Sequence, residues 1–389
     1  MTTAAPSPHR TGLNTSAPPD LASPISPPAP GRLRRARHPL VRRLTTGLQV
    51  ALLSTLFGAS LLMAPGVSDL WGVELLRYLP FAVWLGLAML TLLLSITQGW
   101  AWRIASLSGL LLVLTVIMGL TLRPGETGTG RLRVMTYNIK SYLAIERGDA
   151  FARVAWEVVQ EDPDVLVLQD AGLADVQRHR ANDSVLAMLR DRRIYSYGQY
   201  VVASRVPLKD CQPGDITYRS QAHSYVRCTL VVRGREIDLV TAHLLSPRDG
   251  LNAARHSRLA GIAEWRQNFA DRLSQASKLV RDVSLRRSNT DKAGQPARPL
   301  ILAGDLNASE SSPVVQSLLD LGLRDAHSAA GTGYGYTHGH SLRPGVSFLR
   351  IDHILVSREL GVADSHVGGD QGSEHRPVIA DLWLEHDRH

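Results

Sequence analysis

Between Leu44 and Val67 the chain carries no charged residue, and Leu48–Ala64 within it is almost wholly apolar. Two further apolar runs, Tyr78–Ile96 and Ile104–Leu122, are bounded by Arg77, Arg103 and Arg123. Each approaches the ~20 residues that a helix needs to cross the hydrocarbon core of a bilayer. Soluble helices keep charge on at least one face, so three uncharged runs in succession predict a membrane anchor of three transmembrane helices over residues 44–123. Pro80 falls near the start of the second run, where a membrane helix tolerates it. A signal peptide is the poorer reading, because the runs repeat and the first begins far from Met1.

What precedes the runs orients them. Residues 1–31 are rich in Pro, Ser, Ala and Thr and hold too little apolar surface to fold. The block Arg32–Arg43 follows, so residues 1–43 read as a disordered, basic, cytoplasmic tail. Three crossings then place everything after Arg123 on the extracytoplasmic side. The net charge of +8 carries little further meaning, because seven arginines against Asp20 put +6 of it in that tail. The rest of the chain is near neutral, so its basicity is no evidence for nucleic-acid binding. A cluster of Arg178, Arg180, Arg190, Arg192 and Arg193 reads as a solvated helix face. Two cysteines, Cys211 and Cys228, are too few for a disulfide scaffold and lack zinc-ligand spacing. In an oxidising compartment they could pair; two separate thiols fit the sequence equally well.

Residues 124–132 read as a Gly/Thr-containing linker and residues 133–389 as a soluble domain. Arg133–Ile139 reads as a strand, Asp149–Gln160 as an amphipathic helix stopped by Asp162-Pro163, and Val165–Leu168 as a buried strand. Further strands fit Gln199–Ala203, Tyr225–Val232, Ile237–Ala242, Leu300–Ala303, Leu349–Val356 and Val378–Leu384. Helices fit Ala253–Leu285, with an interruption, and Pro313–Leu321. Strands outnumber helices and helices do not follow every strand, which argues for α+β layering.

The polar residues of interest stand where apolar runs stop. Asn138 ends the first strand, Gln169-Asp170 the second, His243 the run VTAHLL, and Asp305 and Asn307 the run ILAGDLN. Asp352 lies in RIDHILV, and Glu374-His375 precede the last strand. Singly, each has a plain structural role as a cap, an Asx turn or a satisfied buried histidine. Jointly they supply the carboxylates, amides and histidines of a phosphate site built around a hard metal ion.

The six stretches TYNIK, DVLVLQD, TAHL, GDLN, RIDHIL and SEHRPV, in this order, resemble the successive motifs of the endonuclease/exonuclease/phosphatase superfamily. The resemblance runs from about Arg133 to Leu384, and the apolar runs ahead of it resemble a membrane-anchored bacterial branch. It implies a four-layer α/β/β/α sandwich and hydrolysis of phosphoesters dependent on Mg²⁺, with Mn²⁺ as an alternative. Carried over by position, Asn138, Asp170 and Glu374 would serve the metal. Asp305 would activate the attacking water and Asn307 position the phosphate. His243 and His375 would contact the phosphoryl oxygens, with Asp352 orienting His375. Two positions depart from the family pattern: Asp170 stands where Glu is usual and Glu374 where Asp is usual. One side chain is a methylene shorter and the other a methylene longer, so the two changes are expected to compensate.

The rival readings are a binding module of the same fold with impaired catalysis, a serine hydrolase and a transporter. No G-x-S-x-G occurs, and the apolar runs hold no ionisable residue of the kind a transport path uses. Nucleic acid, phospholipid head groups and small phosphoesters all suit a domain held near a bilayer, and no obligate protein partner is evident.

Overall fold

Successive residues of the strand Val165–Gln169 serve different cores: Val165 and Val167 join one, Leu166 and Leu168 another. The same alternation sends Leu132 and Val134 to the first core and Met135 and Tyr137 to the second. Such strands, apolar on both faces, need cover on both sides. The structure, a computed structural model, describes residues 39–146, 150–174, 183–256, 258–292, 297–340, 345–370 and 372–386. The chain divides into two units, Met1–Leu44 and Thr45–His389; of the first, residues 39–44 are described and are helical.

Within the second unit, two six-stranded sheets face each other. Across the first run Gly361–Val367, Val378–His386, Gly128–Asn138, Val165–Gln169, Tyr200–Ser204 and Arg193–Tyr197. Across the second run Leu323–Asp325, Asp352–Ser357, Leu300–Asp305, Arg235–His243, Ser224–Val232 and Leu208–Asp215. In each sheet one parallel pair sits among antiparallel neighbours, Gly128–Asn138 with Val165–Gln169 and Arg235–His243 with Leu300–Asp305. Val134, Val167 and Leu382 of the first sheet meet Leu239, Ile301 and Ile354 of the second in the central core. Phe151, Val154 and Val158 of the helix Ala150–Glu161 cover the outer face of the first sheet. Phe269, Ala276 and Leu279 of Arg258–Lys292, with Val314 and Leu318 of Pro313–Leu319, cover that of the second. The result is the α/β/β/α layering expected from sequence.

Some boundaries move. The first strand opens at Gly128, so residues 128–132 are strand rather than linker. The expected strand Leu349–Val356 shortens to Asp352–Ser357, because Leu349 exchanges backbone hydrogen bonds with His338 instead. Ala253–Leu285 resolves into Arg248–His256 and Arg258–Lys292. Arg190, Arg192 and Arg193 lie beyond the helix Asp183–Leu189, so they form no helix face; Arg178 and Arg180 fall outside the described residues. Cys211 and Cys228, on neighbouring strands, are joined as a disulfide.

Among the N-terminal helices, Pro39–Met63 and Trp100–Ile117 are long and apolar enough to cross a membrane. The middle run forms a shorter helix, Phe81–Ser95, of 15 residues. At 1.5 Å per residue it is about 22 Å long, against a hydrocarbon core of ~30 Å. Pro80 precedes it and a turn over residues 96–99 ends it, so by helix length two runs rather than three meet the requirement. Leu61, Leu93, Ile104, Leu107 and Leu111 are exposed, whereas Gln49 turns inward and its Nε2 donates to Thr91 O at 3.0 Å and Ser106 Oγ at 2.7 Å. Met63, Phe81 and Met118 line one cleft together with Tyr336 and Arg350, so the three helices alternate in direction, with the C-terminal ends of the outer two and the N-terminal end of the middle one gathered at that cleft.

Candidate active site

The register of the second sheet assembles the site. Asp305 pairs with His243 on one flank and with Asp352 on the other, which puts the three on one rung of adjacent strands. In the first sheet Asn138 pairs with Gln169, and Asp170 follows directly. The two sheet ends meet where Asn138 Nδ2 donates to Asp305 Oδ2 at 2.9 Å.

Asp305 is the centre of the constellation. Its Oδ2 lies 3.5 Å from His243 Nε2 and 3.7 Å from His375 Nε2, and its Oδ1 accepts the Asn307 N–H at 3.0 Å. Burial lifts this carboxyl above its ordinary range and the like charge of Asp352 adds to the rise, outweighing His375, His243 and Lys140. A carboxylate so raised is a stronger proton acceptor.

His375 Nδ1 faces Asp352 Oδ2 at 2.9 Å and Oδ1 at 3.2 Å. A carboxylate only accepts, so Nδ1 carries the proton and Nε2 is turned toward Asp305. Burial opposes a charge on this imidazole, yet Asp352 and Asp305 together hold it above the ordinary histidine range. Burial likewise opposes the Asp352 carboxylate, which His375 brings below its usual range. The ring of His338 lies 4.7 Å from that of His375, and burial with this neighbour pushes it down to about 3, making it a neutral wall. On the opposite flank His243 Nδ1 faces Gln199 Oε1 at 2.6 Å, its N–H donates to Tyr200 Oη at 2.9 Å, and its carbonyl accepts from His223 Nε2 at 2.8 Å.

The remaining sequence-read residues stand around this core. Asp170 Oδ2 accepts from Lys140 Nζ at 3.0 Å, and its Oδ1 is 3.6 Å from His243 Nδ1. Burial works against the Asp170 charge, but His243 and Lys140 hold it below the usual carboxylate range. Glu374 Oε2 lies 3.4 Å from Arg248 Nη2, at the outer edge. Asn307 Nδ2 donates to Leu244 O at 2.9 Å. Lys140, Asp170 and Asn307 all have positive φ, at 43°, 49° and 50°. Non-glycine residues in this region are strained, and three beside one another's strand ends mark a backbone shaped for its contacts.

The donors present suit a divalent cation. Asp170 and Glu374 carboxylates and the Asn138 carbonyl are hard oxygen donors of the kind magnesium takes. Among the described residues, Asp305, Asp352 and His375 also form a group whose ligand atoms lie within 4.8 Å of one another. That group is not the set read from sequence as the metal side, since two of its members are the carboxylate–histidine pair. Sequence reasoning missed Lys140, Gln199, Tyr200 and His338. Lys140 stands inside TYNIK and was open to notice, whereas His338 lies in a Gly-rich segment without any pattern.

The Endonuclease/Exonuclease/phosphatase family matches residues 135–375, more than half of the chain. Similar solved structures include truncated Caenorhabditis elegans TDP2, 18% identical over 65% of this chain and 97% of that one, TM-score 0.45. An endonuclease/exonuclease/phosphatase from Bacteroides vulgatus is 16% identical over 66% and 100%, TM-score 0.49. Mannosyl-6-phosphatase Bt3783 from Bacteroides thetaiotaomicron is 16% identical over 64% and 99%, TM-score 0.48. No curated protein matches the chain. The family match spans from the first strand to the histidine at the last motif, and with it the chain belongs to the endonuclease/exonuclease/phosphatase family.

Proposed function

We propose that this protein is a membrane-anchored, divalent-metal-dependent phosphoesterase whose catalytic domain faces the extracytoplasmic side and hydrolyses phosphodiester or phosphomonoester bonds. Members of its family hydrolyse phosphoesters. The observation that carries the reading for this chain is Asp305, buried between His243 and His375 and tied to Asn138. A structural aspartate needs one good partner, whereas this one faces two imidazoles on opposite sides.

In-line hydrolysis needs a positioned water, neutralised phosphoryl oxygens and a stabilised leaving oxygen. Asp305 orients the water and takes its proton. His243 and His375 present Nε2 toward the same point, and the Asp352 carboxylate favours the imidazolium of His375. Asn307 uses one amide hydrogen on Leu244 O, and the other is free to meet a phosphoryl oxygen. Asn138, Asp170 and Glu374 would hold Mg²⁺ or Mn²⁺, which when bound supplies positive charge to the phosphoryl group.

The membrane reading is supported by the apolar helices and by the arginine block ahead of them. The extracytoplasmic placement counts the short middle helix as a third crossing, which the alternating direction of the three helices supports, and a disulfide between Cys211 and Cys228 suits an oxidising compartment. The substrate class comprises phospholipid head groups, nucleic acid and small soluble phosphoesters. The full chain in detergent micelles should hydrolyse bis(p-nitrophenyl) phosphate or p-nitrophenyl phosphate with Mg²⁺ or Mn²⁺. EDTA should abolish turnover and Asp305→Ala should eliminate it. Binding of phosphoesters without turnover under every metal condition would identify the rival, a binding module.

A further inference from the structure

Asn307 is held at its backbone N–H, its carbonyl and one amide hydrogen. Its N–H meets Asp305, its side-chain amide meets Leu244 O, and its carbonyl accepts Tyr78 Oη at 2.7 Å and Arg272 Nη1 at 3.2 Å. Tyr78 belongs to the segment that joins the first anchor helix to the second, some two hundred residues away in sequence. The helix Trp71–Leu76 in that segment carries Glu74, which is fully buried, as is Arg272. Glu74 Oε1 accepts from Arg272 Nη1 at 3.0 Å and from Ser312 Oγ at 3.0 Å; Arg77 Nε donates to Ser311 Oγ at 3.3 Å. Arg272 Nη1 also donates to Tyr78 Oη at 2.7 Å, and the phenol proton goes to Asn307 O at 2.7 Å in preference to Glu74 Oε1 at 3.3 Å. The Arg272 guanidinium lies over the rings of Tyr78, Trp265 and Phe269, 5.5 to 5.6 Å from their centroids.

A buried carboxylate–guanidinium pair is a poor device for stability alone, since apolar groups of similar volume serve as well without desolvating charge. What such a pair does offer is direction. Here the polar groups converge on one carbonyl, that of a residue with positive φ which must keep its amide aimed at the site. We infer that Tyr78, supported by Glu74 and Arg272, is a positioning residue for Asn307, so that the juxtamembrane segment is part of the catalytic apparatus as well as a tether. The inference rests on the phosphoesterase reading and adds to it a dependence of turnover on the anchor.

The test uses the full chain in detergent micelles with Mg²⁺ and bis(p-nitrophenyl) phosphate, comparing Tyr78→Phe, Asn307→Ala, their double variant and Tyr336→Phe. Tyr336→Phe is the control: it removes another hydrogen bond from the domain to the anchor, Tyr336 Oη to Met118 O at 3.1 Å, in which Asn307 takes no part. Tyr78→Phe should lower kcat about tenfold with KM unchanged, the scale of one lost hydrogen bond. It should have no further effect once Asn307 is Ala, because it acts through that residue. Tyr336→Phe should leave kcat as it is. If Tyr78→Phe destabilises the chain, Arg272→Lys, which keeps the charge but shortens the reach to Asn307 O, should show the same dependence on Asn307. Unchanged kcat in Tyr78→Phe, or an equal loss in the Asn307→Ala background, would overturn the inference while leaving the phosphoesterase reading intact. A wild-type chain inactive with every metal on both nitrophenyl esters overturns that reading and this inference together.

Discussion

Asp352 shows what one carboxylate does at this site. It accepts from His375 with both oxygens and leaves that imidazole's Nε2 toward Asp305. Asp352→Asn keeps the shape but removes the charge that favours the imidazolium, so kcat should fall about a hundredfold or more, the usual scale of an acid–base partner. A steady-state assay with unchanged melting temperature checks it, and a loss below threefold would remove Asp352 from the mechanism. Both residues were legible as polar groups at the ends of apolar runs, and the family resemblance implied their pairing; spacing alone did not, because 23 residues and a sheet crossing separate them. Asp170 and Glu374 test a second expectation. Each engages a cation, Lys140 and Arg248, on its own side. If their lengths compensate, Asp170→Glu and Glu374→Asp should each lower metal-dependent activity about tenfold, and the double exchange should restore it. A single variant more active than the parent would contradict compensation.

At the scale of elements, strands apolar on both faces were legible and the edge strands were not. Arg193–Tyr197, Leu208–Asp215 and Gly361–Val367 read RIYSY, LKDCQPGD and GVADSHV, polar enough to pass for loops, because an edge needs cover on fewer sides. One of these edges is tied down by charge. His366 Nε2 faces Glu161 Oε2 at 3.0 Å and its Nδ1 faces Asp364 Oδ2 at 2.7 Å, clasping the edge to the end of the helix Ala150–Glu161. The hydrogen bond that His366 donates to Glu161 outweighs partial burial, and with Asp364 it raises His366 to about 9. The folded chain therefore binds this proton more tightly than the unfolded chain, whose histidine titrates near ~6.5. The stabilisation is complete below that value and is lost as pH rises through about 9. His366→Gln should thus lower the melting temperature at pH 6 and leave it close to wild type at pH 10. An equal loss at both values would show that the clasp does not depend on the charge.

For the whole molecule, the six ordered motifs made the soluble fold legible, while the joint between anchor and domain left no sign in the sequence. Glu74 and Tyr78 sit in a short connection and Arg272 in a long helix with no period linking them; only the folded chain shows them closing on Asn307. The joint changes how the domain should behave when cut away from the N-terminal helices. In the full chain Arg272→Met leaves Glu74 buried with Arg77 Nη1, 3.2 Å from its Oε2, as its remaining guanidinium, a loss of about 3 kcal/mol, the lower end for a buried pair broken on one side. In a fragment beginning at Thr121, which keeps the strand Gly128–Asn138 whole, the Glu74 partner is gone from both proteins, so the same substitution should cost less than about 1 kcal/mol. The fragment itself should unfold at a lower temperature than the domain in the full chain, because Arg272, Trp265 and Phe269 lose the cover of Trp71 and Tyr78. Thermal unfolding of the four proteins gives the coupling directly. Equal costs of Arg272→Met in the two contexts would mean that anchor and domain fold independently, and a soluble fragment would then be a faithful stand-in for the enzyme.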